Sequence, residues 1–143
     1  MAEQNKILIK STTKYLSDVR DFIENVALKF GFDLKEANQI VLSVDEACTN
    51  IMKYSHNYNE DKNIEIIAER NNEELIFDIV YEGEEFNPNS IDLPNMIEYF
   101  QSYKIGGLGI PLMKKFMSKI EYEHIIPNRN HLKLIKKLKL ANP

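Results

Sequence analysis

The sequence DEACTN, residues 45–50, lies in the middle of a long helical pattern. Asp33 followed three residues later by Glu36 is a capping-box pattern, so the helix is predicted to run from about residue 33 to residue 55. Apolar residues recur at the spacing of one buried helix face, at Ala37, Ile40, Val41, Val44, Cys48 and Ile51.

Glu46 and Asn50 lie one turn apart on this helix, so their side chains project together. On the predicted register they lie roughly opposite the buried stripe, alongside Lys53. A solvated polar face is the simplest interpretation of such a pair. A carboxylate beside a carboxamide on a rigid helix can also hold a hydrated metal ion and orient a water molecule. The helix alone leaves both interpretations open.

Composition indicates an ordinary globular protein with one domain spanning residues 1–143. The net charge of -4 and the pI near 5.4 argue against nucleic acid as a partner, because phosphate binding requires concentrated Lys and Arg. The sequence has neither an apolar run of membrane-spanning length nor a signal-peptide pattern, so a cytoplasmic protein without membrane contact is predicted. His56, His124 and His131 lack the spacing of zinc ligands.

The remaining patterns predict the order β, α, α, β, β, loop, α, β, β. In chain order they are a strand at residues 6–10, a helix at 16–30, the long helix, a hairpin at 64–81, an irregular connection at 82–104 with one helical turn at 96–100, a helix at 110–117, and strands at 120–126 and 131–140. This order indicates an α+β two-layer sandwich, with a mixed, mostly antiparallel sheet and helices on one face.

A Gly-rich run, Gly106-Gly107-Leu108-Gly109, precedes the third helical pattern. Glycines before a helix let the backbone approach an anion, and the helix N-terminus offers free N–H groups. The run is not a Walker A loop, since Gly-Lys-Ser/Thr does not follow. Taken alone, it indicates either a tight turn or a phosphate site.

The order of these parts resembles the anti-sigma factor serine/threonine kinases, within the histidine kinase-like ATPase superfamily. Residues 46–50 match the family's Glu-Ala-x-Thr-Asn signature, and residues 106–110 its phosphate-binding motif. The resemblance implies that Glu46 activates the attacking hydroxyl and that Asn50 ligates Mg²⁺. It also implies that Gly106, Gly107, Leu108, Gly109 and Ile110 bind the phosphates of ATP, and that residues 87–105 correspond to the lid over the nucleotide.

The chain departs from the family at its adenine-reading positions. Gly83 and Phe86 fit the family's Asp-x-Gly-x-x-Phe pattern, but Tyr81 stands where the adenine-reading Asp is expected. Glu82 lies one residue after the position of the adenine-reading Asp. Because neighbouring strand residues point to opposite faces, Glu82 is a poor substitute for that Asp. Lys133 aligns with a supporting Thr, and the family's His after the signature Asn is Tyr54. These departures predict weak ATP binding.

Two functions follow from the resemblance. In the first, the protein is a Mg-ATP-dependent kinase that sequesters a sigma factor and phosphorylates Ser or Thr on an anti-sigma factor antagonist, as a homodimer. In the second, it keeps the fold and the partner surface but has lost nucleotide, and acts as a protein-binding regulator. Tyr81 and Lys133 favour the second function, whereas Glu46, Asn50 and the glycines favour the first. A detached histidine-kinase ATPase domain is less favoured.

Overall fold

The computed structural model describes residues 5–83 and 109–139 and gives the predicted order of helices and strands. The elements are β1 (Asn5–Lys10), a 3-10 turn (Thr13–Tyr15), α1 (Leu16–Phe30), α2 (Leu34–Asn50) continuing as a π-helix (Ile51–Ser55), β2 (Asn63–Asn71), β3 (Glu74–Glu82), α3 (Gly109–Phe116), β4 (Lys119–Ile125) and β5 (Arg129–Lys137). The predicted helical turn at 96–100, the lid at 87–105, and Gly106, Gly107 and Leu108 lie outside the described residues.

The predicted cap at the start of α2 is confirmed, and a glycine ends the helix before it. The Asp33 side chain accepts a hydrogen bond of 2.8 Å from the Glu36 N–H and caps α2. Gly31, at the end of α1, has a φ of +123°, a conformation that L side chains rarely adopt. Its N–H bonds the carbonyl of Leu28 at 3.1 Å. These two signals fix the short connection that turns α2 back against α1.

The sheet has the strand order β1-β2-β3-β5-β4, and all four pairings are antiparallel. The α+β class is confirmed, but the predicted mixed sheet is wrong for the described strands. Two helices lie between β1 and β2, so the chain returns antiparallel to the strand it left. Strands β3 and β4 run in the same direction, because β5 lies between them and pairs antiparallel with both.

The core lies between the helices and one face of the sheet. On β3, Leu75, Phe77, Ile79 and Tyr81 face the helices, and they are all buried. Helix α2 packs against both α1 and α3. The opposite side of the sheet, which carries Asp78 of β3, is called the outer face below. Among the described residues, no helix is long and apolar enough to cross a membrane.

Candidate functional site

The signature pair lies on α2 as predicted, but with more burial than expected. Asn50 is only 2% exposed, so the prediction that it lies opposite the buried stripe is wrong. Because α2 contacts α1 on one side and α3 on the other, its buried surface is wider than a single stripe and also includes Ser43 and Ala47. Glu46 is half-buried at the margin of that surface.

The environment of Glu46 favours its protonated form. Partial burial raises the pKa of the Glu46 carboxyl above its ordinary value, and the neighbouring charge of Asp45 raises it further. Asp45 is held by Arg20 of α1, whose Nε lies 2.9 Å from Asp45 Oδ1. A carboxylate with a raised pKa is a stronger base once ionised, which suits a group that takes a proton from a hydroxyl.

The helix changes its hydrogen-bond pattern immediately after Asn50. Residues Ile51–Ser55 form one π-helical turn, and the N–H of His56 reaches the carbonyl of Ile51 at 2.9 Å. Single π turns inside longer helices often occur at functional sites. This turn brings Ser55 and His56 against the end of β3.

His56 joins three segments at this point. Its Nε2–H donates to the Glu82 carbonyl at 2.6 Å, which leaves Nδ1 to accept from the Ser11 hydroxyl at 2.7 Å. The residue is 3% exposed. Burial lowers the pKa of His56, partly offset by the bond to the Glu82 carbonyl. This role of His56 could not be predicted from sequence, because its partners Ser11 and Glu82 are distant in the chain.

The lowered pKa of His56 predicts a loss of stability in mild acid. In the unfolded chain the imidazole binds a proton near its ordinary pKa of about 6.5. Between that pH and the lower folded pKa, the unfolded state binds more protons, so stability falls as the pH drops. We expect the urea midpoint of wild type to decrease from about pH 7.5 to about pH 5.5, and that of His56→Gln to change less. Equal pH dependence of the two proteins would contradict this assignment.

Tyr81 occupies the inner face of β3 beside the π turn. It is 3% exposed, and its ring lies edge-on to the His56 ring at a centroid distance of 5.9 Å. Burial raises the pKa of the Tyr81 hydroxyl, which therefore stays protonated. The resemblance assigns an adenine-reading carboxylate to this position, and the structure fills it with a buried, neutral ring.

Asn130 lies directly opposite Tyr81 on β5 and organises the polar groups around it. Its Oδ1 accepts from the Tyr122 hydroxyl at 2.5 Å and from His124 Nδ1–H at 2.7 Å. Its Nδ2 donates to the Gly83 carbonyl at 3.0 Å. The side chain is fully buried. The predicted strand at 131–140 began one residue too late to include Asn130, because Asn is depleted in strands and its side chain is not apolar.

The alignment of Lys133 with the supporting Thr is wrong. Lys133 pairs with Asp78, so it projects from the outer face, whereas Tyr81 and Asn130 project toward the helices. Glu82 projects from the face of β3 opposite Tyr81 and is exposed, as expected from strand alternation. The residue that shares a face with Tyr81 is therefore Asn130 rather than Lys133.

Gly83 fits its predicted place at the end of β3. Its φ is +154°, and a Cβ there would lie 3.2 Å from the Ser55 Cβ. Its N–H bonds the Asn128 carbonyl at 2.7 Å. The glycine is thus required both by its backbone conformation and by its close approach to the π turn.

The Gly-rich run, to which the resemblance assigns the phosphates of ATP, is called the phosphate end, and the structure describes it from Gly109 onward. Gly109 and Ile110 begin α3, which packs against α2, so the Gly-rich run leads into a helix as predicted. The donor set on α2 is one carboxylate and one carboxamide, and these are oxygen ligands of the kind that Mg²⁺ uses together with phosphates. Within the described ranges, no group of three or more His, Cys, Asp or Glu is arranged to hold a metal ion by itself.

Comparison with known proteins agrees with this arrangement. The chain is similar to the serine-protein kinase RsbW of Bacillus subtilis (strain 168), with 26% identity over 133 residues, covering 86% of this chain and 79% of that protein. Its fold is similar to the SiaB–SiaC complex from Pseudomonas aeruginosa, with a TM-score of 0.66 and 13% identity, covering 91% of this chain and 87% of that one.

It is also similar to the RsbU and RsbW domains of Rv1364c from Mycobacterium tuberculosis, with a TM-score of 0.65 and 14% identity. That match covers 95% of this chain and 32% of the longer one. The resemblance to the anti-sigma factor serine/threonine kinases is confirmed by the family model and the serine-protein kinase relative. The two solved structures show that the fold is shared. The family model for the histidine kinase-like ATPase domain matches residues 9–136, which is most of the chain. The chain therefore belongs to the histidine kinase-like ATPase domain family.

Proposed function

We propose that the protein is a regulatory serine kinase that uses Mg-ATP to phosphorylate an anti-sigma factor antagonist and that also binds a sigma factor. The observation that carries the proposal is Glu46, half-buried on α2 with a raised pKa, one turn before the buried Asn50. The similarity to a serine-protein kinase supports the same reaction.

In this proposal Glu46 takes the proton of the attacking serine hydroxyl, and partial burial keeps its carboxylate basic. Asn50 contributes its amide oxygen to Mg²⁺, and Gly106, Gly107, Leu108, Gly109 and Ile110 bind the phosphates. Bound Mg-ATP supplies the phosphoryl group. The π turn and His56 hold the end of α2 against the sheet, so that Asn50 keeps a fixed position relative to Tyr81 and Gly83.

The end of the site nearest Tyr81 fits adenine poorly. Tyr81 places a buried hydroxyl where the family has an anionic acceptor. The Asn130 side chain already forms hydrogen bonds with Tyr122, His124 and Gly83. These contacts support the second candidate, a protein-binding regulator of the same fold without effective nucleotide binding. The two candidates share a partner surface and differ in whether phosphoryl transfer occurs.

The partner class is also proposed. One structural relative is a SiaB–SiaC protein complex, which supports a protein rather than a nucleic acid as the partner. The negative net charge points the same way. The protein is also proposed to be a homodimer and to be located in the cytoplasm.

Calorimetric titration with ATP in the presence and absence of Mg²⁺ tests the kinase proposal. We expect weak binding that requires Mg²⁺ and transfer of phosphate to a serine of the antagonist. Binding of the partner without nucleotide binding or transfer would establish the second candidate. Binding of neither the partner nor nucleotide would contradict both.

Asn50→Ala is expected to weaken Mg²⁺-dependent nucleotide binding by roughly ten- to a hundredfold, because it removes a ligand to a charged group. Asn50→Asp keeps an oxygen ligand and should retain more of the binding. Asn25→Ala, an exposed substitution on α1, is the control. Because Asn50 is buried, thermal melting of each variant must show that it is folded. Unchanged Mg²⁺ dependence in folded Asn50→Ala would remove this residue from the metal site.

A further inference from the structure

The outer face of the sheet contains a cavity of about 280 Å³ that plays no part in the function proposed above. Besides Tyr122, its lining comes from three adjacent strands: Asp78 of β3, His131 and Lys133 of β5, and Glu121 and Glu123 of β4. In the register, Lys133 lies between Asp78 and Glu121, and His131 lies opposite Glu123. The lining side chains thus form a regular arrangement that the strand pairing fixes.

Asp78 is the most buried residue of this group, at 5% exposure, although the helices lie on the other side of the sheet. Its two carboxylate oxygens are each 3.1 Å from His131 Nδ1. His131 Nε2 accepts from Arg129 Nε at 3.2 Å, so the ring donates through Nδ1 and carries no charge in this arrangement. His131 therefore orients Asp78 without neutralising it.

An ionised carboxylate has about four acceptor positions, and leaving them unused in a buried place is costly. Among the described residues, His131 is the only side chain that donates to Asp78. Lys133 forms no ion pair within the same part of the chain, although it lines the cavity. Asp78 therefore presents unused acceptor capacity beside a cavity.

The charge in the cavity is negative. Three carboxylates face one ammonium group, and Glu121 already has a partner in Lys119, 3.5 Å away at the strand edge. Asp78 and Glu123 remain: Asp78 bonds His131, and Glu123 lies opposite His131 on β4. Asp78 itself pairs with Lys133, so these two carboxylates are two strands and two residues apart, with their backbones roughly 12 Å from each other. At this separation the two side chains can contact opposite sides of one group that lies between them.

We propose that this cavity binds an organic cation, a guanidinium or alkylammonium group, between Asp78 and Glu123. A guanidinium offers five N–H donors in a planar fork, which suits two carboxylates. A metal ion suits the cavity less well, since no set of three metal-ligating residues is formed within residues 5–83 and 109–139. A bound ligand would compete with the ammonium group of Lys133 for the carboxylates of the cavity.

The probes are agmatine, a free small cation, and N-acetyl-arginine methylamide, which presents the same group as a side chain of a peptide. Each is titrated into the isotope-labelled full chain while the backbone amide resonances of residues 78, 123 and 131 are followed. We expect saturable shifts that weaken as salt is added. Tighter binding of agmatine indicates a free amine as the natural ligand, and tighter binding of the arginine derivative indicates a partner's side chain. No saturable shift with either probe would overturn the proposal.

Two substitutions are expected to act in opposite directions. Asp78→Asn should weaken binding roughly tenfold or more, because it removes the buried charge. Lys133→Gln should strengthen binding several-fold, because it removes the competing cation. Glu69→Gln, an exposed substitution on the outer face of β2 and outside the cavity lining, is the matched control. A purely structural role for these residues predicts no gain with Lys133→Gln, so weaker or unchanged binding in that folded variant would contradict the proposal.

Discussion

Replacing Glu46 with glutamine is expected to lower the rate of phosphoryl transfer by roughly 10²- to 10⁴-fold, the usual contribution of a general base. Glutamine has the same shape but cannot accept the proton. Partner binding should be nearly unchanged, because the base acts on the chemical step and not on docking. Stability should also change little, since Glu46 lies at the margin of the buried surface of α2. Transfer of labelled phosphate and partner affinity are measured on the same preparations.

The control for this variant is Glu60→Gln, in the exposed connection between the π turn and β2. If Glu60→Gln and Glu46→Gln both transfer phosphate at the wild-type rate, Glu46 has no role in the mechanism. If the wild-type protein binds its partner but transfers no phosphate, the result supports the second candidate, a protein-binding regulator.

The pH profile offers an independent measure of the same group. Because the pKa of Glu46 is raised, transfer should fall in acid at a higher pH than an ordinary glutamate would give. Asp45→Asn removes the neighbouring charge and should move this acidic limb to lower pH. That variant also breaks the ion pair with Arg20, so Arg20→Gln is its control. An acidic limb that does not move would show that another group titrates.

Tyr81→Asp is expected to strengthen ATP binding by roughly ten- to a hundredfold relative to wild type, provided that the phosphate end is competent. The physical reason is the return of a charged acceptor, and hydrogen bonds to charged groups contribute about 1.5–3 kcal/mol. The variant also removes a ring from the place where the base edge is expected. Wild type should bind ATP weakly, with little preference over GTP. Calorimetry with both nucleotides measures the two effects.

Lys133 is left unchanged in this experiment, because it lies on the outer face and cannot contact a base beside Tyr81. The control is Tyr58→Asp, since Tyr58 is 60% exposed. Tight, adenine-selective binding by wild type would show that Tyr81 does not occupy the base position. If folded Tyr81→Asp shows no gain, the contacts around Asn130 also close the site, and Asn130 becomes the next position to vary.

The sequence predicted those features that depend on neighbouring residues. The cap at Asp33 is a local signal, and it was found where expected. The hairpin turn is another example, since Asn72 adopts a positive φ of 57°, which Asn tolerates better than most residues. Alternation along β3 correctly excluded Glu82 from the face of Tyr81. The order of the elements followed from these local patterns.

The features that were missed depend on contacts between distant residues. The burial of Asn50 arises because two helices pack against α2, and a single helical stripe carries no information about the second neighbour. The register of β5 against β3 decides that Asn130, and not Lys133, faces Tyr81. Aligning a short strand by residue type is uncertain by one or more positions, and a shift of an odd number of residues reverses the face. The roles of Ser11 and His56 likewise require the folded sheet.

The π turn after Asn50 has a consequence for the angular phase of the helix. A regular α-helix advances about 100° per residue, so winding the same residues of Ile51–Ser55 as an α-helix would rotate everything beyond them by roughly that angle. Glu46 and Asn50 would keep their places, but His56 would turn away from Ser11 and from the Glu82 carbonyl. The π turn therefore absorbs one residue and sets the phase between the helix and the sheet. Deleting one residue here should leave an α turn in nearly the same phase, so related sequences should be aligned with a one-residue gap allowed.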